Sequence, residues 1–395
     1  MPVPIFRLIA VALTFFAQGY LFLRIRQGIE SSQRSDRLKS WALRLVGGAM
    51  ILLFILNGYT LLRHVPWADP PIAVQVGLFY PMAVWNLGSL LSALVLFLAR
   101  LAGRLGKRVA CLPRPQVAQT SPDVVDLSRR RFLQAGVGGL AAAPMLLSGY
   151  GAVYAATSYD VEELALPFGR SLRVVQLTDI HAGIYMSREQ IRRYAEQVIA
   201  LQPDLFVLTG DFISNSTVFL PSCLEELSRV RARYGTFAIL GNHEHHYGQL
   251  SQVLTMFRQY RIPLLNNAHQ VIQAEQGALA VVGIDDLYTG FPDLDAALDG
   301  LSPAIPTLLL SHRPEIFPQA AERGIPLTLS GHWHGGQIKL SLPGMDVSLA
   351  HLRSPYPEGL YRINSSHLYV SRGIGTTFTP VRLNAPPEVT LFHLV

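Results

Sequence analysis

Five short polar blocks in the second half of the chain carry side chains suited to holding hard cations. They are Asp179-Ile180-His181, Gly210-Asp211, Gly241-Asn242-His243-Glu244, Ser311-His312 and Gly331-His332-Trp333-His334. Each alone says little. An Asp-x-His in extended backbone only puts two polar side chains on one side, and an aspartate after a turn is an ordinary helix cap. A lone histidine after an apolar run is more often a satisfied buried residue than a ligand, and His245 and His246 read as a polar loop. Together the blocks read differently. Asp179, His181, Asp211, Asn242, His312, His332 and His334 offer carboxylate, amide and imidazole donors without thiolate, a set suited to Mn, Fe or Zn. They exceed what one tetrahedral zinc takes, so two divalent metal ions sharing a carboxylate are the natural use.

The elements that must position these residues are short buried strands. Apolar runs at 174–178, 205–209, 237–240, 280–283, 307–310 and 327–329 precede the blocks or lie between them, and 368–371 and 389–394 read as further strands. Amphipathic stretches at 187–201 and 221–234 separate the first three. This alternation implies an α/β domain with crossover connections, and a two-sheet sandwich flanked by helices accommodates all the strands. In such a sheet the strand ends converge on one edge, where ligands bind.

In order, spacing and strand context the five blocks resemble the calcineurin-like metallophosphoesterase superfamily. Residues 331–337 and Tyr369-Val370-Ser371-Arg372-Gly373 are similar to its bacterial membrane-associated branch. The resemblance covers roughly 170–395. It implies the metallophosphoesterase fold and hydrolysis of a phosphodiester or phosphomonoester by a dinuclear metal-activated hydroxide. It implies one metal on Asp179, His181, Asp211 and His334, and a second on Asp211, Asn242, His312 and His332, with Mn favoured. His243 would protonate the leaving oxygen, and Arg372 would contact phosphate. Glu244 stands where aspartate is commoner, and both orientation of His243 and simple solvation stay open for it. Asp285 and Asp286 read as structural. A different class, a membrane sensor or scaffold whose fold binds a phosphorylated ligand without turnover, would be expected to have lost ligands.

Half of the 395 residues are hydrophobic and only 15% are charged, and the excess lies before residue 156. Residues 1–155 carry 16 Lys/Arg against 5 Asp/Glu, whereas 156–395 carry 17 against 22. An acidic catalytic half argues against nucleic acid as partner. Cys111 and Cys223 fall in different halves and read as structural or incidental. Stretches 5–23, 41–62, 72–99 and 132–156 are long enough to span a bilayer, the last being weakest. The expected organisation is a membrane region over 1–127 with three transmembrane helices, a signal or anchor segment over 128–156, and a catalytic domain over 157–395. Arginine and lysine crowd the first and third loops, so the positive-inside rule places both in the cytoplasm and the catalytic domain outside it, at a bacterial cytoplasmic membrane. Ser128-Arg129-Arg130-Arg131-Phe132-Leu133 resembles a twin-arginine export signal, though internal; an ordinary anchor oriented by three arginines explains it equally. Val153-Tyr154-Ala155 is a candidate peptidase site. Anchoring raises the local concentration of lipid substrates, so the expected substrate is a lipid or other envelope-associated phosphoester, with Leu349, Leu352, Tyr356, Tyr361 and Phe378 as apolar residues that either receive acyl chains or pack in the core.

Overall fold

The computed structural model describes residues 5–62, 71–110, 127–247 and 249–395. Helices come first: α1 (Ile5–Glu30), α2 (Asp36–Leu62), the short α3 (Ile72–Val74), α4 (Tyr80–Ala110) and α5 (Leu127–Thr157). Among the described residues, Asp36–Gly58, Gln75–Leu105 and Gly136–Thr157 are long and apolar enough to cross a membrane. The expected second, third and fourth spans fall on these, and the expected first span falls on α1. The third departs from a continuous α-helix. Gln75–Phe79 forms a π-helical turn just before Tyr80-Pro81. Proline lacks an N–H and its ring crowds the carbonyl four residues back, here that of Gly77, and a wider turn accommodates the missing hydrogen bond. Amide side chains join the helices: Asn57 donates to Gln18 at 3.1 Å, and Gln18 to Asn86 at 3.1 Å. The expected loop charge Arg63 and the linker 111–126 lie outside the described residues.

Contacts divide the chain into two compact units, 1–64 with 77–150 and 65–76 with 151–395. The second unit contains two mixed sheets. Its strands are β1 (Asp160–Leu166), β2 (Leu172–Leu177), β3 (Leu205–Thr209), β4 (Thr236–Ile239), β5 (Ala268–Ala274), β6 (Gly277–Gly283), β7 (Thr307–Leu310), β8 (Leu327–Ser330), β9 (Leu340–Leu342), β10 (Met345–Val347), β11 (Gly359–Ile363), β12 (Ser366–Val370) and β13 (Glu388–Leu394). One sheet has the order β1-β13-β2-β3-β4 and the other β11-β12-β8-β7-β6-β5, while β9 and β10 form a separate hairpin. The central strands β2, β3 and β4 are parallel, as are β6, β7, β8 and β12.

Alternate residues explain why these strands read as unbroken apolar runs. Val174, Leu205, Val207 and Ile239 face Leu308, Leu310, Leu327 and Leu329 in the layer between the sheets. Their neighbours Val175, Leu177, Phe206 and Leu208 face the opposite way. There they meet α6 (Arg188–Ala200), α7 (Leu220–Leu227) and α9 (Leu250–Gln259) through Ile191, Val198, Leu224 and Phe257. On the far side of the second sheet, Ala280, Val282 and Leu309 pack on α10 (Leu294–Leu298) and on Ala320 of α11 (Phe317–Glu322). Strands covered on both faces have no polar alternation, and each buried Val or Leu contributes roughly 1.5–3 kcal/mol. The expected sandwich with flanking helices is thus the observed architecture. The parallel strands of both sheets deliver their C-terminal ends to one edge, and the polar blocks sit there.

Candidate metal centre

The blocks converge. Asp179, His181 and His334 place ligand atoms within 4.8 Å of one another, as do His181, Asp211 and His243, and Asp211, His312 and His332. Each aspartate divides its oxygens between backbone and site. Asp179 Oδ2 accepts from Thr178 Oγ1 at 2.8 Å and from the His332 N–H at 2.9 Å. Its Oδ1 is buried without a hydrogen-bond partner and lies 3.3 Å from His334 Nε2. Asp211 Oδ1 accepts from the His243 N–H at 2.8 Å. Its Oδ2 faces His312 Nε2 at 3.3 Å and His181 Nε2 at 3.6 Å.

The imidazoles are aimed by their outer nitrogens. His312 Nδ1 donates to Thr209 O at 2.8 Å, which leaves Nε2 facing inward. His243 Nδ1 donates to Ser214 O at 2.5 Å, which puts Nε2 3.9 Å from Asp211 Oδ2. Arg382 Nη2 lies 3.3 Å from His334 Nδ1, and Arg313 Nη1 lies 2.5 Å from His332 Nε2. His181 Nε2 and His334 Nε2 approach to 3.1 Å, and His312 Nε2 and His332 Nδ1 to 3.3 Å.

This donor set fits divalent metal. Buried Asp179 Oδ1 and Asn242 Oδ1 lack partners, although buried polar atoms are nearly always satisfied. Paired imidazole nitrogens facing each other are satisfied together by a cation between them. Burial pushes His181 down to about 3 and lowers His332 and His334 well below the usual imidazole value, which keeps all three in the neutral form a metal requires. His312 behaves oppositely: burial opposes its charge, but the Asp211, Asp179 and Asp286 carboxylates raise it to about 10. Burial pushes Asp179 up to about 6. Asp211 is also desolvated, but His312 and His243 hold it well below the ordinary carboxylate value.

Backbone geometry marks the same residues. Asp179, His181, Asp211, His332 and His334 all have φ between 51° and 73°, a left-handed conformation that costs ordinary residues free energy and clusters at functional sites. The loops also need close approach. A Cβ on Gly331 would collide with Asp179 Oδ2, so only glycine lets the His332 block lie against Asp179.

Glu244 is buried rather than solvated, and it acts on His243 through backbone rather than by touching the imidazole. Its fully buried carboxylate accepts four backbone N–H bonds, from Asp211, Phe212, Ile213 and Gly241, at 2.8–3.1 Å. It therefore clamps the loop after β3 to the loop after β4, and so fixes Asp211 against Asn242 and His243, which begin α8 (Asn242–Tyr247). The guanidinium of Arg372, the expected phosphate contact, is engaged by Glu162 at 2.8 Å, Glu388 at 3.0 Å and Asp160 at 3.3 Å, tying β1 to β13. Two arginines touch histidines of the centre, Arg313 and also Arg382, which is fully buried and donates to carbonyls of Arg372, Gly373, Gly375 and Ala385. Nothing in its local sequence distinguishes it from Arg372. Arg313, held at 2.9 Å by Asp286, follows a proposed ligand directly, and that adjacency was the available signal. A fourth cluster, Asp346, His351 and Glu358, already holds a cation, since Lys339 pairs with Asp346 and Glu358.

Comparison with known proteins gives the family. The pattern of the family described as Calcineurin-like phosphoesterase matches residues 172–336, and the chain belongs to that family: it is a metallophosphoesterase. The "Uncharacterized metallophosphoesterase YkuE" of Bacillus subtilis is 31% identical over 281 residues, covering 68% of this chain and 98% of that protein. The "Transmembrane protein with metallophosphoesterase domain" of Bos taurus is 33% identical over 253 residues, 60% of this chain and 56% of its own. A solved structure, TT1561 of Thermus thermophilus, is 11% identical and covers 52% of this chain and 91% of its own, with a TM-score of 0.37.

Proposed function

We propose that this chain hydrolyses a lipid or other envelope-associated phosphoester at a dinuclear metal centre on the outer side of a bacterial cytoplasmic membrane. The observation that carries the reading is Asp211 Oδ2, which faces Nε2 of both His181 and His312. It is thereby suited to bridge one metal on Asp179, His181 and His334 and another on Asn242, His312 and His332. Bound there, two divalent ions, with Mn favoured over Fe or Zn, would supply Lewis acidity, neutralising phosphoryl charge and generating a nucleophile near neutral pH.

The chain's own residues do the rest. Asp179 and Asp211 each commit one oxygen to backbone and leave the other to the site, so the charge of the centre is fixed in place before substrate arrives. The Ser214 carbonyl holds His243 with Nε2 toward the site, where it protonates the leaving oxygen. Glu244 keeps His243 and Asp211 in register. The lipid preference rests on anchorage by apolar helices, which raises the local concentration of membrane-borne substrates.

The test is metal analysis of the full chain in detergent, together with hydrolysis of an aryl phosphodiester and of a lipid phosphodiester in mixed micelles. Two bound ions and turnover are expected, with faster turnover of the lipid than of its short-chain analogue. Asp211→Ala should lose more metal than Asn242→Ala and abolish turnover; full activity with two metals still bound rejects the bridge. Tight binding of a phosphoester by metal-loaded protein without turnover would move the assignment to a membrane sensor or scaffold.

A further inference from the structure

Six residues after His334 the chain forms the β9–β10 hairpin, which pairs with neither sheet. Its register sets Leu340 opposite Val347 and Leu342 opposite Met345, with Ser341 opposite Asp346. Side chains alternate along a strand, so one face is Leu340, Leu342, Met345 and Val347, and the other is Ser341 and Asp346. Leu340, Met345 and Leu342 are 59%, 58% and 45% exposed. A two-stranded hairpin with an uncovered apolar face is marginal in water, and such a face marks an interaction surface.

The base of the hairpin says what covers it. Lys339 N donates to Leu383 O at 2.9 Å, and Asn384 Nδ2 to Lys339 O at 3.0 Å. Gln337 holds the same loop through Thr377 O and Thr379 O, and between these two threonines Phe378 is 92% exposed at a φ of 59°. A large aromatic ring turned fully outward is costly in water unless something receives it, and its left-handed backbone adds strain held by the surrounding loop. The loop in turn lies on α5. Arg382 N donates to Gly151 O at 3.1 Å, and a Cβ on Gly151 would lie 2.7 Å from Val381 Cγ1. Gly151 lies inside the apolar stretch Gly136–Thr157. At about 1.5 Å per residue it is about 9 Å along the helix from the end of that stretch, a length comparable to the depth of about 5–10 Å to which interfacial segments enter a bilayer.

We propose that the apolar face of the β9–β10 hairpin and Phe378 form a membrane-docking surface that inserts into the interfacial layer of the bilayer entered by α5. Continuity with α5 favours lipid over a protein occupant: the loop that carries Phe378 and supports the hairpin touches Gly151, in the last turns of that apolar helix. The docked surface holds the loop from His334 to Gln337 next to the lipid headgroups. The proposal concerns depth, and it stands whether or not the substrate is a lipid.

The experiment uses the full chain with Cys111→Ser and the buried Cys223 retained, reconstituted into phosphatidylcholine–phosphatidylglycerol vesicles. Single cysteines from Leu342→Cys, Phe378→Cys, Ser341→Cys and Ile199→Cys carry an environment-sensitive fluorophore. Retained metal-dependent hydrolysis of a soluble aryl phosphodiester identifies the folded variants. At 342 and 378, a shallow doxyl-lipid quencher is expected to act at least threefold more strongly than at 199, and iodide correspondingly less. Position 341, one residue away on the polar face, should be quenched less by doxyl lipid than 342. Equal doxyl quenching at 342, 378 and 199 overturns the proposal. So does shielding of 342 and 378 from both quenchers, which would mean that a second copy or another protein covers the face.

Discussion

Metal loading should expel a proton from one identifiable side chain. In the metal-free centre His312 is raised to about 10, because desolvation is outweighed by the Asp211, Asp179 and Asp286 carboxylates together, with Asp211 Oδ2 only 3.3 Å from its Nε2. His181 is pushed down to about 3, and His332 and His334 are lowered well below the usual value, so these three are already neutral at pH 8. Asp179, raised by burial to about 6, is almost wholly ionised there. Only His312 among the proposed ligands therefore carries a proton at pH 8, and a metal ligand must be free of it. Since a raised pKa means tighter proton binding, affinity for the second metal should fall as pH drops below about 10, roughly tenfold per pH unit. Calorimetric titration of the metal-free full chain, in buffers of different ionisation enthalpy, counts the protons released. The variant His312→Asn keeps a neutral donor without the stored proton. The His312 charge also lowers Asp179 and Asp211, so these carboxyls hold protons more tightly in the variant, and the wild-type excess at pH 8 should approach, without exceeding, one per chain. At pH 5 Asp179 should add nearly one more to both. A wild-type release no larger than that of the variant at pH 8 would refute the charge assignment at His312.

Three further outcomes are expected. His243→Asn should keep both metals and lose about 10²–10⁴-fold in turnover with alkoxide leaving groups, but lose little with nitrophenolate; equal losses for both leaving groups count against the acid role. Glu244→Ala strands four buried N–H groups, and even with partial relief by water should cost about 3 kcal/mol or more; unchanged thermal unfolding and metal affinity would show that the clamp is dispensable. A reporter fused after residue 157 should register outside the cytoplasm and one near Arg104 inside, and the reverse pattern would overturn the loop-charge argument.

What could be read from the sequence follows burial. The runs at β3 and β7 match to the residue because both faces of those strands are covered, so apolarity starts and stops with the strand. The strands β1, β5 and β11 escaped notice because each alternates between exposed and half-buried positions at or near a sheet edge, where Glu162, Glu163 and Gln270 look like loop. The stretch 221–234 extends only to Leu227 as helix, since Arg229, Arg231 and Arg233 belong to the turn that feeds β4. The metal blocks were legible because ligand types recur at strand ends. The supports were not: Glu244 looks like a neighbour of His243 but bonds to backbone 31–33 residues away. The two late arginines differ only in what the fold brings to them, carboxylates for Arg372 and carbonyls with His334 for Arg382.

The left-handed backbone at Asp179, His181, Asp211, His332 and His334 has an implication for anyone breeding this protein toward robustness. Each such conformation costs a side-chain-bearing residue of the order of 1 kcal/mol, and glycine escapes most of that cost. Replacing any of the five by glycine thus relaxes the chain while deleting a metal donor. A library sorted on heat resistance alone, in metal-free medium, will enrich inert proteins. The hardiest survivors will be those that have forgotten their chemistry, and only a screen that demands turnover in every round will hold the site together.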